Sequence, residues 1–329
     1  MKRIMLLFGG QSSEHEVSLM GYEYVSSLTK DTEYEILPVY IDRDGVWHSG
    51  SKDGTAATLS KRHGGSLLTD QGYVSIDAAI PLLHGECGED GRIQGALDQA
   101  GIPYIGADVV TSAVCIDKFY TKCIAASLGI PTLESVSFSH PTDTAEAFSL
   151  CAERLGLPMF LKPRRLGSSV GAYPIYDKDD FLEHFPLAMQ KGDNLVIAEG
   201  LLKDKREIEC AFYEAQGVRL ITPPGEILVD GFYGWQEKYN KETKIIPRAD
   251  IDKSTAELVH GYATELAEAL SLRHLARIDF FLTKDGVIFN EVNTFPGFTS
   301  HSLYPRLLEE SGINPRDALC SFIEDALSC

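Results

Sequence analysis

The chain has 329 residues, too many for one ordinary hydrophobic core, so two or three domains are expected. Its 30 basic and 48 acidic residues leave a net charge of −18, which argues against a general nucleic-acid or anionic-membrane partner but leaves room for a local basic pocket for phosphates. Seven cysteines, an odd number at scattered spacing with no C-x-x-C pair, give neither a disulfide framework nor a structural zinc site and fit a reducing compartment.

The first segment, 1–108, alternates strand-like and helix-like pieces. "RIMLLFGG" reads as a buried strand and turn, too short for a signal-peptide core, and "HEVSLMGYEYVSSL" has helical spacing. "YEILPVYID" and "AAIPLLHG" are strands, "GRIQGALDQAG" is a helix with Gly101 just past its end, and "IPYIG" is a short strand. This βαβ rhythm predicts a mostly parallel, doubly wound sheet. A second segment, 109–194, opens with one helix over "TSAVCIDKFYTKCIAASLG" and continues as a small α+β unit. The third, 195–329, carries "NLVIAEG", "REIECAFYE", "RLITPPGEI", "ARIDFFLT" and "GVIFNEVN" as strands of a larger antiparallel sheet. A helix over 253–270 and terminal helices over 304–328 complete it. No apolar run is long enough to span a bilayer.

Four stretches carry chemistry. In "LFGGQSSEHEVS" a strand ends, two glycines turn and a helix begins. Ser13 and Glu16 fit a capping box. Glu14 is not needed for that cap; with backbone amides at a helix start it suits a zwitterion, the carboxylate on the amides and the ammonium on Glu14. The stretch lacks G-x-G-x-x-G, which disfavours a dinucleotide site and a dehydrogenase. In "PLLHGECGEDGRIQG", Glu89-Asp90-Gly91 reads as a turn capping the next helix, and His84 as a core or loop histidine at a strand end where ligands sit in such sheets. "FLKPRRLGSSVGAYPI" puts Lys162, Arg164 and Arg165 beside a glycine-flanked Ser168-Ser169. Against a surface hairpin stands the clustering of three cations in an acidic protein, which points to a loop closing over a triphosphate. In "ARIDFFLTKDGVIFNEVNT", Asp285-Gly286 signals a hairpin. Strand alternation puts Arg277 with Asp279, and Glu291 with Asn293. The hairpin can thus gather Asp279, Glu291 and Asn293 as hard oxygen ligands for Mg²⁺, with Arg277 beside a developing anionic oxygen. The alternative is a structural ion-pair strand.

In this order, "FGGQSSEHEVS", "LHGECGEDGRIQG", "DKFYTK", "KPRRLGSSVG", "EKYNKETK", "ARIDFF" and "NEVNTFPGFTSHSLYP" resemble the D-alanine–D-alanine ligases of the ATP-grasp superfamily over nearly the whole chain. The resemblance implies a three-unit ATP-grasp fold and ATP-dependent joining of two D-alanines through an acyl phosphate. It further implies a cytoplasmic homodimer using Mg²⁺, with Mn²⁺ as a substitute, and serving peptidoglycan precursor synthesis. It implies that Glu14 holds the first D-alanine ammonium, with Ser168 and Tyr239 hydrogen-bonding to it and His84 nearby. Lys118, Lys162 and Lys238 match phosphate-binding lysines beside the Ser169 loop, Glu199 the adenine-side acid, and Glu207 the ribose-side acid, with Glu209 its rival. Asp279, Glu291 and Asn293 match metal ligands. Arg277 and the Gly297 amide match oxyanion stabilisers, and Ser302 and Leu303 match positions gripping the second D-alanine. Departures are Gly200 for a common lysine, a charged "LLKDKREIEC" turn, and Gly234 and Trp235 in the "EKY" loop. Relatives take D-serine or D-lactate second. Tyr239 favours an amine over D-lactate, and an apolar Leu303 beside the acceptor offers nothing to a serine hydroxyl, so D-alanine is expected. A regulatory protein that kept the fold would lack some of these groups, and another ATP-grasp ligase would differ at Glu14, Ser302 and Leu303.

Overall fold

A computed structural model describes residues 1–228 and 244–328. Lys238 and Tyr239, with Gly234 and Trp235, lie outside the described residues.

The apolar run after Arg3 forms β1 (Lys2–Gly9), flanked in parallel by β2 (Tyr34–Ile41) on one side and by a later strand on the other. A strand covered on both faces needs a continuous apolar sequence, and Ile4 through Leu7 are completely buried. Each such side chain contributes roughly 1.5–3 kcal/mol by leaving water. The short antiparallel strand β3 (Trp47–Ser49) closes one edge. Three short strands the sequence did not announce, β4 (Thr58–Ser60), β5 (Ser66–Thr69) and β6 (Gly72–Ser75), form a separate meander. β7 (Ala78–Pro81) is the second parallel neighbour of β1, giving the order β3-β2-β1-β7. The "IPYIG" stretch contributes only a single parallel bridge, Ala79 to Tyr104. α1 (His15–Leu28) packs on β1, and α2 (Arg92–Ala100) ends at left-handed Gly101 as expected.

The helix expected over 111–129 is two: α3 (Val109–Cys115) and α4 (Lys118–Ser127). The break falls at fully buried Asp117, which accepts from the Phe119 amide at 3.1 Å as the α4 N-cap. Its carboxylate also takes Arg164 at 2.7 Å and Arg165 at 2.9 Å. A capping carboxylate that must also anchor two guanidiniums cannot sit inside a continuous helix.

A four-stranded antiparallel sheet follows: β8 (Ser135–Phe138), β9 (Met159–Pro163), β10 (Tyr173–Ile175) and β11 (Val196–Gly200), in the order β10-β9-β11-β8. Thus "NLVIAEG", expected in the larger sheet, belongs to this one. α5 (Thr144–Leu155) and α6 (Lys178–Lys191) cover one face, around Phe181 and Phe185.

The larger sheet runs β15-β14-β12-β16-β17, with β13 also on β12. Its strands are β12 (Arg206–Ala215), β13 (Val218–Ile221), β14 (Gly225–Leu228), β15 (Lys244–Ile246), β16 (Leu275–Thr283) and β17 (Gly286–Asn293). α7 (Lys253–Ala269) packs on one side of it. α8 (Leu303–Glu310) and α9 (Pro315–Leu327) share one core with β1 and β7, joining the two ends of the chain. No helix among the described residues is long and apolar enough to cross a membrane. The six described cysteines are free thiols.

Candidate active site

The β16–β17 hairpin gathers the four expected residues, but only because its register shifts by one; alternation and the tight turn alone would pair Asp279 with Asn290 and turn Glu291 and Asn293 to the opposite face. Arg277 pairs directly with Asn293 and Asp279 with Glu291, so all four project from one face. A bulge lies between Asp279 and Phe280: Glu291 opposes Asp279, Phe289 opposes Phe280, and Asn290 is the extra residue. Simple alternation would put Phe289 and Glu291 on the same face. The inserted residue lets Phe289 enter the core, fully buried, while Glu291 faces the site.

β12 extends this face, because Glu209 opposes Asp279 and Glu207 opposes Phe281. Glu209, considered as a rival ribose ligand, instead contacts Arg277 at 2.9 Å. Arg277 also holds both oxygens of Asp279 at 2.8 Å each. Burial disfavours the Arg277 cation, but Asp279 and Glu209 outweigh it and raise its pKa far above the ordinary value. Asn293 donates to Asp279 at 3.0 Å, and Lys118 at the start of α4 reaches Glu291 at 3.3 Å. Among the described residues no three His, Cys, Asp or Glu side chains form a ready metal cluster. The two acids expected to bind metal are instead neutralised internally, by Arg277 and Lys118. Three carboxylates (Glu209, Asp279, Glu291) against two cations (Arg277, Lys118) leave −1. Two carboxylates and an amide in register, with excess negative charge, fit a hard divalent cation.

The second cluster sits on the small sheet. Lys162 on β9 opposes Ile197, and Glu199 lies two residues along the same face of β11. Each Glu199 oxygen meets an ammonium: Lys162 at 2.7 Å and Lys122 at 2.9 Å. Burial pushes the Glu199 carboxyl up, but Lys122 and Lys162 overcome it and hold it at about 2. Lys122 was missed, although it ends the quoted "DKFYTK". It lies one turn after Lys118, so both lysines share one face of α4. Glu207 is near the protein surface, with Lys205 at 2.7 Å, and the Lys205 ammonium lies 4.0 Å from the Phe281 ring centre.

The third cluster joins residues far apart in sequence. β1 ends at Gly9, with φ +90°, where a side chain would come within 2.3 Å of the Ile41 carbonyl, so only glycine can make this turn. Beyond it, the expected capping box does not form: α1 has no side-chain cap, and Glu16 pairs with Arg43 at 2.7 Å. Ser12 instead ties the loop to the sheet, donating to the His84 carbonyl at 2.6 Å and accepting from the Glu14 amide at 3.1 Å. Glu14 accepts from Ser168 at 2.6 Å, across 154 residues. A Cβ at Gly85 or Gly167 would lie 2.8 or 2.7 Å from Glu14 Oε2, so both glycines make room for this carboxylate. Ser168 and Ser169 have φ of 50° and 58°, a left-handed turn that serine adopts at a cost of roughly 1–3 kcal/mol each.

His84 is buried just past β7, and its Nδ1 donates to the Phe295 carbonyl at 3.1 Å, which fixes the proton on Nδ1. Burial lowers its pKa against the pull of Glu14, so the ring is neutral. Nε2 is then a buried acceptor with no hydrogen-bond partner among the described residues. An unfilled acceptor near a carboxylate is a place for a cationic donor such as an ammonium.

Ser302 and Gly297 adjoin, since a Cβ on Gly297 would lie 3.0 Å from Ser302 Oγ. Ser302 Oγ accepts from the Thr299 amide at 3.2 Å. Leu303 corrects the sequence reading. Its side chain is buried with Tyr304 and Leu307 in the core, so it is not an apolar wall beside an acceptor.

A small sheet carrying Lys162 and Glu199, a larger antiparallel sheet carrying Arg277 and its paired acids, and the α4 lysines that reach both, Lys122 to Glu199 and Lys118 to Glu291, define an ATP-dependent ligase of the ATP-grasp fold. The model for the D-ala D-ala ligase N-terminus matches residues 3–107, and that for the D-ala D-ala ligase C-terminus matches 124–324. The chain belongs to the D-alanine–D-alanine ligase family. It is 34% identical to D-alanine–D-alanine ligase A of Chromobacterium violaceum, over 99% of this chain and 95% of that protein. It is 38% identical to the D-alanine–D-alanine ligase of a Thermoanaerobacter species, over 94% and 92% respectively. The crystal structure of D-alanyl-alanine synthetase A from Vibrio cholerae superposes with a TM-score of 0.91 at 33% identity, covering 100% of this chain and 99% of that one. The VanG D-Ala:D-Ser ligase of Enterococcus faecalis superposes at 0.86 with 31% identity and 99% coverage of both chains.

Proposed function

We propose that the three clusters form one active site that joins two D-alanines to D-alanyl-D-alanine with consumption of ATP, as a step in peptidoglycan precursor synthesis. The observation that carries this reading is the cradle around Glu14: Ser168 donates to it at 2.6 Å, Gly85 and Gly167 leave room for its Oε2, and the buried acceptor His84 Nε2 has no hydrogen-bond partner among the described residues. Together these groups offer an ammonium site.

Lys118, Lys162 and Lys238 neutralise the nucleotide phosphates, with the Ser168-Ser169 loop over them. The buried Glu199 lies on the adenine side and Glu207 on the ribose side. Mg²⁺, or Mn²⁺ in its place, would be held by Asp279, Glu291 and Asn293, and when bound it neutralises phosphate charge. The first D-alanine carboxylate attacks the γ-phosphorus and ADP leaves. The second amine then attacks the acyl phosphate carbonyl, and Arg277 with the Gly297 amide meets the tetrahedral oxyanion before phosphate departs. The second D-alanine attacks as the free amine and gives up one further proton, which the departing phosphate can carry away, and positioning supplies most of the rate. Glu14, Ser168 and Tyr239 orient the first substrate, and Ser302 with the main chain at Leu303 receives the second. We further assign units 1–108, 109–200 and 201–329, the second boundary moved from 194 because β11 pairs in the small sheet, together with a homodimer formed through the first unit and a cytoplasmic location.

The test is ATP-dependent phosphate release with Mg²⁺ and D-alanine alone, then with D-serine, D-lactate or L-alanine, with products weighed by mass spectrometry. Dipeptide from D-alanine alone is expected. Release only when D-serine or D-lactate is added would overturn the acceptor assignment. Sedimentation checks the dimer.

A further inference from the structure

We infer that Glu89 is a positioning residue, which together with His84 clamps the main chain of Phe295 and so sets the loop carrying the Gly297 amide. Both oxygens of Glu89 go to backbone donors. Oε2 accepts from Gly85 N–H at 2.8 Å, within its own loop. Oε1 accepts from Phe295 N–H at 2.9 Å, across 206 residues. The other end of the same residue is held as well, because the Phe295 carbonyl accepts from His84 Nδ1 at 3.1 Å. One residue is thus fixed at both its polar main-chain groups by two side chains of the loop after β7.

Local structure gives Glu89 no other task. The sequence reads Glu89-Asp90-Gly91 as a turn that caps α2, yet the α2 N-cap is Gly91, with no side-chain cap. Asp90, not Glu89, serves the local turn, accepting from the Cys87 and Arg92 amides at 2.9 and 3.1 Å. Among the described residues no cation stands in ion-pair contact with Glu89; its partners are the two amides. Burial, with Glu14 nearby, pushes the Glu89 carboxyl up to about 7, so above that pH each of its bonds to an amide is of the stronger, charge-assisted kind. Phe295 lies midway between Asn293, on the acidic face, and Gly297, so its main chain sets the approach to the Pro296-Gly297 turn. Its ring is buried in the core shared with β1 and β7, so packing anchors the residue while the clamp at its amide and carbonyl orients the main chain.

The inference rests on the reading of Gly297 as an oxyanion donor, and the test separates the two. In Glu89→Gln one of the two side-chain acceptors becomes an amide NH₂, which cannot accept from a backbone N–H. Hydrogen exchange of the 293–300 region in the full chain, measured at about pH 8 where Glu89 is ionised, should speed by about tenfold or more, the scale of one charge-assisted bond. kcat should fall by a similar factor while the Kd for ATP is unchanged. Glu89→Asp keeps the charge but is one methylene too short to span both amides, and should show the same faster exchange. Unchanged exchange in a folded variant would overturn the clamp. If the variants do not fold, residue-resolved exchange in the unmodified protein decides. A Phe295 amide protected well above its intrinsic rate supports the clamp, and one exchanging at that rate refutes it. Unaltered kcat with faster exchange would retain the contact but remove its effect on the reaction. Failure of the unmodified protein to form dipeptide would count against the function alone.

Discussion

Arg277 is the best place to test whether the β16–β17 face works as read. Its guanidinium lies among three carboxylate oxygens, two of Asp279 at 2.8 Å and one of Glu209 at 2.9 Å. Asp279 and Glu209 are direct cross-strand partners, and like charges in that position repel. The trio carries one positive and two negative charges, so Arg277→Ala changes its sum from −1 to −2 in a poorly solvated place. Removing one partner of a buried ion pair costs about 3–5 kcal/mol. Turnover should fall further, by about 10²–10³ for the lost oxyanion contact. Arg277→Lys separates the two effects. It keeps the charge and should recover much of the stability measured by urea unfolding. It loses the planar fork, so kcat for phosphate release should stay low. ATP affinity should change little in both variants, because the lysines that meet the phosphates lie elsewhere. Normal kcat in Arg277→Ala would remove the oxyanion assignment. Full kcat in Arg277→Lys would show that a point charge suffices and refute the fork geometry.

Three further outcomes follow from the same structure. Leu303→Ala should cost about 2–5 kcal/mol of stability by opening a core cavity, with the D-serine to D-alanine product ratio unchanged; a shifted ratio would put the side chain back at the acceptor. Asp117→Asn should loosen Arg164 and Arg165 and cost several kcal/mol, in the range of about 3–5 for a broken buried pair, read by urea unfolding; an unchanged midpoint would refute the anchor. For Glu199, the folded pKa of about 2 lies below the ordinary 4.5. Its ion pairs therefore stabilise the protein above about pH 4.5, and that contribution is lost as pH falls from there through about 2. Glu199→Gln should flatten stability over this window, and an unaltered acid limb would refute the triad with Lys122 and Lys162.

What was legible in the sequence was whatever depends on short spacing. The buried run of β1 and the left-handed Gly101 after α2 follow from alternation and capping, and the tight hairpin after Thr283 was likewise legible; the gathering of Arg277, Asp279, Glu291 and Asn293 on one face needs the bulge as well. What stayed hidden depends on partners that the fold supplies. The bulge at Asn290 changes strand parity without any glycine to mark it, so the faces of Phe289 and Glu291 appear only once the pairing is known. Asp117 reads as one polar residue in a helical pattern until Arg164 and Arg165 arrive from 47 and 48 residues away. Leu303 failed the sequence argument for the converse reason. It lies beside residues assigned to the acceptor, but as the first residue of α8 its side chain belongs to the helix's core-facing stripe. The same logic gives the acceptor site a stricter requirement. If Leu303 contributes only its main chain, discrimination between D-alanine and D-serine falls to other groups at the acceptor. Among the described residues the chain that carries Gly297 and Ser302 is the one held at Phe295 by His84 and Glu89, so moving that chain, as Glu89→Gln should, is expected to alter the D-serine to D-alanine product ratio more than Leu303→Ala does; an unchanged ratio would refute this.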